Sequence, residues 1–542
     1  RILTRDPVLD MYQGSGELDG MTTAHGDGSW AAKGMVNLPF AENVFGVRLV
    51  ASQEDFGGWV DNTTTGTDDQ NSRELTNLRA KALWQPMDNL DIGLSWWHTK
   101  EDIDADSPAL EDLTTPNDPI ATGVDYDLYS LTVRYRTEYF DVISASSWMD
   151  YSDSYETPFF GQPFTIDNAL DAFSEELRLT SNSEGMFRWT AGFFYRSSSQ
   201  NIYLNLAAFS IIQDIDQDSD SWAAFGEGTW TFLDDKLDFT VGLRYFEDDR
   251  KYTENLDPFL LDLIQDRYPD FTGSSEPKFD STNPRFNIAY RATDDWMVYT
   301  NIAKGFRSGQ VQPLISVAYA LLFAGADVPL EIDPETLWSY ELGTKGTMAD
   351  GKVTLEVAVY YNDWKDLQVN AIVNPGQQPA ISALINGGTA ESTGVEFSLF
   401  AAPISGLTLQ FTGNYIDAQY TETVPGTPIV DGDPISQVPD WTLFGGATYQ
   451  WPMTNSLDGF IDANAQYTSK RYDPVNSAAP SDAMTLFDAR FGLLWGEAWS
   501  AFIYCDNMFD EDGAINAAAF MSPIAIRPRP RSFGLTLRYA YN

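Results

Sequence analysis

The segment Leu237 to Phe246, LDFTVGLRYF, alternates apolar residues with polar or small ones over ten positions. In a β-strand, successive side chains point to opposite faces, so this segment has one apolar face and one largely polar face. The same alternation recurs in Val353–Asn362, Leu407–Tyr415 and Phe533–Tyr541. A tilted strand needs roughly 10 residues to cross a bilayer, whereas strands of globular domains average about 5–6. The pattern therefore predicts membrane-crossing strands.

The polar faces of these strands carry many charged side chains. The predicted set is Arg79, Lys81, Arg134, Arg136, Glu176, Arg178, Arg244, Glu341, Lys345, Glu356 and Glu396. A β-sandwich would have to bury them in its core at a high cost in desolvation. The interior of a wide barrel is polar, so the same residues would remain hydrated there. The sequence therefore favours a barrel over a sandwich-type adhesin.

Short and long connections alternate along the chain. Short polar turns are predicted at Leu38–Asn43, Gln85–Asn89, Arg136–Phe140, Ser181–Gly185, Leu233–Lys236, Ala292–Asp295, Ala349–Lys352, Pro403–Gly406, Pro452–Ser456 and Gly496–Ala498. Longer segments lie near 21–28, 53–73, 100–123, 150–171, 198–219, 248–280, 309–333, 367–391, 419–437, 470–483 and 508–529. Short periplasmic turns and long extracellular loops are typical of outer-membrane barrels. We predict one all-β domain over residues 1–542, a transmembrane antiparallel β-barrel of about 22 strands.

Composition excludes several other classes of protein. The chain has 79 acidic and 33 basic residues, a net charge of -46, which opposes binding to nucleic-acid phosphates. No run of about 18 apolar residues occurs, so no membrane-spanning helix is predicted. Cys505 is the only cysteine, which excludes an internal disulfide framework.

Histidine usage argues against catalysis and against a histidine-based metal site. His25 and His98 are the only histidines and lie far apart in sequence. A Ser–His–Asp site needs a histidine beside the serine, and no metal-spaced histidine pair occurs. His98 shares the strand parity of Leu94 and Trp96, which predicts an outward position near the rim. We predict no catalytic residue, no cofactor and no enzyme activity.

Four residues near the predicted outer rim are candidates for ligand contact. They are Trp97, Arg307, Lys470 and Tyr472. Binding sites combine aromatic surface with a few placed polar groups. An alternative interpretation is that Arg307 pairs with acids of the lumen and that Trp97 anchors the barrel at the membrane interface.

A row of alternating aspartates is a candidate for weak divalent-cation binding. Asp214, Asp216 and Asp218 resemble the start of a calcium loop. Counted from Asp214, positions six and twelve are Ser219 and Phe225, where such a loop needs Gly and Glu. A solvated acidic loop is the simpler interpretation, and cation bridging to lipopolysaccharide is the alternative. No tight metal site is predicted.

Several segments resemble the barrel of TonB-dependent receptors. They are Phe173–Ser181 (FSEELRLTS), Asn283–Tyr290 (NPRFNIAY), Tyr299–Gly309 (YTNIAKGFRSG), Trp338–Gly346 (WSYELGTKG), Tyr360–Gln368 (YYNDWKDLQ), Asn386–Glu396 (NGGTAESTGVE), Asn507–Asp510 (NMFD) and Arg529–Tyr539 (RPRSFGLTLRY). They follow the family's order over most of the chain. One departure is the end, because the family commonly finishes on an aromatic residue and here Tyr541 precedes Asn542.

The resemblance implies ligand-gated active import across the outer membrane of a Gram-negative bacterium. A full receptor would bind a scarce small molecule, such as a ferric siderophore, a vitamin or an oligosaccharide. The TonB–ExbB–ExbD complex would then act on an N-terminal plug through a short box. Neither plug nor box is found in this sequence, so the expected partners include a missing plug domain or a separate plug chain. Outer-membrane lipids and lipopolysaccharide are further expected partners.

Two alternatives remain for a barrel without a plug. A barrel of about 22 strands is too wide for its own side chains to fill, and known barrels of that size are plugged transporters. A plugless diffusion channel is one alternative, although porins usually have 16–18 strands. A surface scaffold whose long loops bind a partner is the other.

Overall fold

The computed structural model describes residues 4–159, 161–183, 185–209, 211–255, 258–267, 269, 273–326, 328–377, 381–476, 479–516 and 524–541. Within them, 22 antiparallel strands form one sheet. In chain order they are β1 Gln13–Thr23, β2 Gly28–Ala41, β3 Phe45–Phe56, β4 Arg73–Met87, β5 Leu90–Ile103, β6 Ala121–Arg136, β7 Phe140–Phe159, β8 Gln162–Ser181, β9 Phe187–Leu206, β10 Ile211–Phe232, β11 Leu237–Asn255, β12 Lys278–Thr293, β13 Trp296–Arg307, β14 Glu335–Met348, β15 Val353–Lys365, β16 Ala390–Ala401, β17 Leu407–Tyr420, β18 Trp441–Thr454, β19 Leu457–Thr468, β20 Met484–Trp495, β21 Trp499–Asp506 and β22 Ser532–Tyr541.

The sheet closes on itself. β1 pairs with β22 along its whole length, from Gly14 opposite Tyr541 to Thr23 opposite Ser532. Each other strand pairs with its neighbours in sequence, and a two-residue strand, Ser274–Ser275, adds to the outer end of β11. The prediction of a closed antiparallel barrel of about 22 strands is confirmed.

All ten predicted short turns lie at one end of the barrel and join consecutive strands. One position of these turns, 184, lies outside the described residues. The turn between β14 and β15 has Ala349, Asp350 and Gly351 at φ 55°, 56° and 82°. Such left-handed conformations suit tight hairpin turns, which explains the Asp-Gly signal in the sequence.

The other end of the barrel differs from the prediction in four places. The segment near 248–280 begins as strand, because β11 stays paired with β10 as far as Asn255. The segments near 150–171 and 198–219 continue as strand, with β7 and β8 paired as far as Phe159 and Gln162. β9 and β10 stay paired as far as Leu206 and Ile211. The outward face of these extensions is largely polar, with residues such as Asp150, Asp171 and Asp216, so the outward apolar signal ends although the backbone ladder continues. The segment near 21–28 is only a four-residue turn at 24–27.

The outer surface of the barrel is an apolar band. Exposed outward side chains include Leu94, Leu177, Leu243, Ile461 and Ile503. Aromatic side chains border the band at both ends, including Trp84, Trp499 and Tyr539 near the short turns and Trp30, Trp148 and Trp441 near the long connections. An apolar band between aromatic girdles is characteristic of outer-membrane barrels. No helix within the described ranges is long and apolar enough to cross a membrane.

A close contact within the sheet involves Gly346 of β14 and Trp296 of β13. A Cβ atom at position 346 would overlap the indole ring of Trp296. We expect Gly346→Val to lower the free energy of unfolding by about 1–3 kcal/mol, because the ring must leave its place or the strands must separate. Urea unfolding of the barrel in lipid vesicles measures this. Gly16→Val is the matched control, because nothing lies within 4 Å of a Cβ there. Equal losses in the two variants would contradict the prediction.

The long connections pack into two apolar cores at the outer end of the barrel. The larger core, here called the cap, contains helix α1 Pro258–Arg267, helix α2 Leu314–Tyr319 and the π-helical turn Ala320–Ala324. Its strand pairs are Gln310–Val311 with Glu331–Ile332 and Gln368–Ile372 with Ser382–Asn386. Its buried side chains include Ile215, Ile264, Leu314, Val317 and Ile381. The smaller core joins the loops after β15, β17 and β19 through Leu367, Tyr420, Ile429 and Val475.

Short elements complete the described secondary structure. They are the 3₁₀ turn Ala207–Phe209 and two further strand pairs, Asp61–Asn62 with Thr114–Thr115 and Pro108–Ala109 with Ala525–Ile526. The second pair links the last long loop to the loop after β5. This second pairing crosses the seam at which β1 meets β22, whereas the first joins the loops after β3 and β5.

Candidate functional site

The lumen wall is lined by the polar faces predicted from the sequence. Charged side chains that face inward pair with one another across the wall. Arg285 Nη1 lies 3.1 Å from Glu227 Oε2, Lys345 Nζ lies 3.1 Å from Glu356 Oε2, and Arg136 Nη1 lies 2.5 Å from Asp91 Oδ2. At these pairs the wall presents compensated charge to a wide, hydrated interior.

Arg307, at the outer end of β13, connects the barrel to the cap. Its Nη2 donates hydrogen bonds to Glu335 Oε2 at 2.8 Å and to the carbonyl of Gln368 at 2.9 Å. Glu335, only 4% exposed, also accepts the backbone N–H of Gln368 at 2.6 Å. The structure thus gives Arg307 the acidic partner considered in the sequence analysis. The arrangement holds the base of one cap strand against the rim.

Trp97 faces the lumen, because its neighbours Trp96 and His98 point outward. Its ring stands edge-on to that of Tyr126, with centroids 6.4 Å apart, and Arg79 Cζ lies 5.4 Å from the Trp97 ring centroid. The outward position at the membrane interface therefore belongs to Trp96 and not to Trp97. A tryptophan, a tyrosine and a guanidinium on one wall form a surface that suits a flat or charged ligand.

Lys470 and Tyr472 lie in the loop after β19 and are both exposed. The carbonyl of Tyr472 accepts the N–H of Gln437 at 2.7 Å, which fixes the backbone while the ring is left accessible. Within the described ranges, no hydrogen bond, ion pair or ring contact joins any two of Trp97, Arg307, Lys470 and Tyr472. They lie at three places around the circumference, so their contact with ligand stays a prediction.

The aspartates at 214, 216 and 218 lie on strand β10 and not in a loop. They share the outward face with Trp222, above the apolar band. Asn201 Nδ2 donates to Asp214 Oδ1 at 2.7 Å and to Asp216 Oδ1 at 2.9 Å. Alternate residues of a strand lie roughly 7 Å apart along one face, so these carboxylates form a row instead of wrapping around one point. Weak cation binding there stays a prediction.

A second outward group combines a histidine with two carboxylates. His98 Nδ1 lies 3.2 Å from Asp127 Oδ2 and 3.8 Å from Asp125 Oδ1. Trp96 Nε1 donates to Asp127 Oδ1 at 2.6 Å. The potential ligand atoms of His98, Asp125 and Asp127 lie within 4.8 Å of one another, close enough to hold a metal ion. Strand parity placed His98 correctly, but the carboxylates are on β6 and come close only through the pairing of β5 with β6.

Two arginines of the last long loop hold the loops at the outer end of the barrel together, a role that the sequence analysis did not predict. Arg527, 9% exposed, donates from Nε to the carbonyl of Ala109 at 3.1 Å. Arg529 Nη2 donates to the carbonyl of Gly57 at 2.6 Å, and its Cζ lies 4.7 Å from the centroid of the Trp59 ring. These contacts clamp the last loop onto the first ones. Sequence alone shows the arginines but not the carbonyls that they bind.

This architecture agrees with a match to a known protein family. The family model for the TonB-dependent receptor-like β-barrel matches residues 54–508. The chain belongs to the TonB-dependent receptor β-barrel family. Members of this family are outer-membrane receptors, which agrees with the apolar band and girdles of this barrel.

Individual relatives share only a small part of their sequence with this chain. The pesticin receptor of Yersinia pestis is 26% identical over 302 residues, which cover 54% of this chain and 39% of that protein. The match thus spans about two fifths of the length of the curated relative. The ferric yersiniabactin uptake receptor FyuA of Yersinia pestis has a TM-score of 0.83 at 19% identity, covering 99% of this chain and 81% of that chain. For the ferric citrate transporter FecA the TM-score is 0.77 at 15% identity, with 99% and 80% covered. At these identities the structural likeness shows the fold of this TonB-dependent receptor barrel.

Proposed function

We propose that this chain is the barrel of a TonB-dependent, ligand-gated active importer of a scarce nutrient, with a ferric siderophore as the first candidate. The observation that carries the proposal is the coincidence of the family match over residues 54–508 with a closed 22-strand barrel. Iron is favoured because the structures similar in fold include a ferric yersiniabactin receptor and a ferric citrate transporter. A vitamin or an oligosaccharide is the alternative cargo.

The proposal includes partners that lie outside this chain. A lumen-filling plug, in the same polypeptide or in another, would close a barrel that is too wide for its own side chains to fill. The TonB–ExbB–ExbD complex would act through that plug. Lipopolysaccharide and outer-membrane lipids would surround the apolar band and its two aromatic girdles.

Deletion of the gene, followed by growth under iron limitation, tests the proposal. We expect the deletion strain to lose uptake of radioactive iron supplied as one of several purified siderophores, and the intact gene to restore it. A proton-motive-force uncoupler should abolish the restored uptake, because diffusion would not need that energy. Unchanged uptake of every siderophore would overturn the iron assignment, and uptake insensitive to the uncoupler would overturn active import.

A diffusion channel is the second candidate, and the width of the lumen is the observation that favours it. Intact-mass measurement of the receptor from native outer membranes separates the two candidates. A mass well above the 60.5 kDa of this chain, or a co-purifying plug polypeptide, supports the importer. A mass equal to this chain with no companion, together with a large steady conductance in planar bilayers, supports the channel.

A further inference from the structure

A pocket in the lumen wall near the barrel seam gathers positive charge. Its volume is about 470 Å³, and it lies between the segment that precedes β1 and the inner faces of β22 and β1–β4. Five of its lining side chains are cationic, namely Arg5, Arg48, Arg79, Lys81 and Arg538. This concentration departs sharply from the balance of the chain, in which acidic residues outnumber basic ones by more than two to one.

One of the five cations of this pocket has a carboxylate partner, and among the described residues the four arginines have none within ion-pair distance. Lys81 Nζ lies 2.5 Å from Asp6 Oδ1. Arg48 donates from Nη1 to the neutral Gln13 at 3.3 Å, and Arg79 stacks on the Trp97 ring. Within the described part of the chain, no carboxylate oxygen lies within 4.0 Å of the guanidinium nitrogens of the pocket's four arginines. Elsewhere on the wall, Arg136, Arg285 and Arg291 each have such a partner.

Arg48 shows the excess of positive charge most clearly. It is only 8% exposed, and it lies within Coulombic range of Arg5 and Arg79. It also stands directly opposite Lys81 in the pairing of β3 with β4. Like charges in directly opposed positions destabilise a sheet, and a buried charge is costly unless it is paired. An anion in the pocket would remove both penalties.

We propose that this pocket is an anion-binding site on the lumen wall, for a group that carries two or more carboxylates or phosphates. Guanidinium groups bind carboxylate and phosphate oxygens in bidentate fashion, so several arginines around one cavity suit such a ligand. The volume falls in the range of small-molecule sites. Two sources supply this chemistry, a free anion in the lumen or acidic side chains of a segment that fills the lumen. The site does not depend on which nutrient the receptor imports.

Isothermal titration calorimetry with citrate as the probe tests the site. It uses the receptor as isolated from outer membranes and, separately, the chain of residues 1–542, both in detergent. We expect the 1–542 chain to bind one citrate and the double variant Arg48→Gln/Arg79→Gln to bind it at least tenfold more weakly. The matched control Arg285→Gln removes a paired lumen arginine outside the pocket, and its affinity should stay within twofold. Absence of citrate binding by the unaltered 1–542 chain, or equal affinity in the double variant, would overturn the proposal.

The isolated receptor separates the two sources of the anion. Citrate binding to the isolated receptor identifies a free anion as the occupant. Absence of citrate binding there, with binding retained by the 1–542 chain, identifies acidic side chains of a lumen-filling segment. Because the glutamine variants could fail to fold, Arg48→Lys/Arg79→Lys serves as a second pair. It keeps the charge but loses the bidentate geometry, so it should bind citrate more weakly while its heat-modifiable migration on gels stays that of a folded barrel. Unaltered affinity in this folded lysine pair would also overturn the proposal.

Discussion

Replacing Arg307 by methionine is expected to loosen the cap while the barrel stays folded. Glu335 is nearly buried, and its carboxylate is held by the Arg307 guanidinium and the N–H of Gln368. Removing the guanidinium leaves a buried negative charge with one remaining donor. Breaking a buried ion pair costs about 3–5 kcal/mol, and the half-exposed side chain of Arg307 reduces this to about 2–3 kcal/mol.

Hydrogen exchange measures this loss directly. We expect the amides of Gln368–Ile372 and Ser382–Asn386 to exchange faster, by a factor of at least 30, while those of β7–β11 keep their protection. Lys345→Met is the matched control, because its pair with Glu356 is about half exposed on both sides and such pairs contribute little. Unchanged exchange in Arg307→Met, with a loss of ligand affinity, would show instead that Arg307 contacts ligand.

Replacing Glu254 by glutamine is expected to remove a pH dependence of the cap. Glu254 accepts hydrogen bonds from Gln213, from the Tyr252 hydroxyl and from the N–H of Leu314, which starts α2. Burial raises the pKa of the Glu254 carboxyl above its ordinary value of 4.5, and these three hydrogen bonds only partly oppose the rise. The side chain lies at the outer end of β11, beyond the apolar band.

The direction of the effect follows from proton linkage. Because the pKa of Glu254 is higher in the folded cap than in the unfolded chain, the folded cap binds the proton more tightly. The resulting stability is fully present below about pH 4.5 and is lost as the pH rises through the raised pKa. Each unit of elevation corresponds to about 1.4 kcal/mol. The cap should therefore open more readily at pH 8 than at pH 5.

Native-state hydrogen exchange at the two pH values checks this, after correction for intrinsic exchange rates. Glu254→Gln should give nearly equal opening free energies at pH 5 and pH 8, because a glutamine keeps the shape and does not titrate. Glu331→Gln is the matched control, since Glu331 is exposed in the same cap and bonded to the Ser275 hydroxyl. A slope with pH that survives in Glu254→Gln would assign the dependence to another group.

Much of the fold could be predicted because the strands and short turns of a barrel leave local patterns in the sequence. Every second residue of β11 or β15 reports which face meets lipid, and turns such as Ala349–Lys352 report where a strand reverses. The extent of the hairpins β7–β8 and β9–β10 could not be predicted in this way. Beyond the membrane the outward face of a strand is wet, so polar residues such as Asp150 and Asn201 resemble loop residues. The inward face of the same hairpins packs against the cap through Ile202 and Ile215, a contact that the sequence does not show.

The site was harder to predict because its residues meet through long-range register. Arg48 and Lys81 are 33 positions apart in sequence, and only the pairing of β3 with β4 sets them side by side. Asp127 reaches His98 in the same way through β5 and β6. The alternation within one strand shows which way a side chain points, but it does not show which side chain of the next strand lies beside it. The partners of Arg307 and the clustering of arginines at the seam therefore needed the three-dimensional arrangement.

The uninterrupted ladder of β7–β11 divides the mouth of the barrel into a stiff sector and a pliable one. Backbone hydrogen bonds run to the tips of these hairpins, so bending them inward would require breaking many bonds together. The segments after β13, β15, β17 and β19 are held by side-chain clamps and small apolar cores, which open at lower free energy. If ligand binding closes the mouth, the segments of the second sector would therefore have to move, while the hairpins of β7–β11 stay in place.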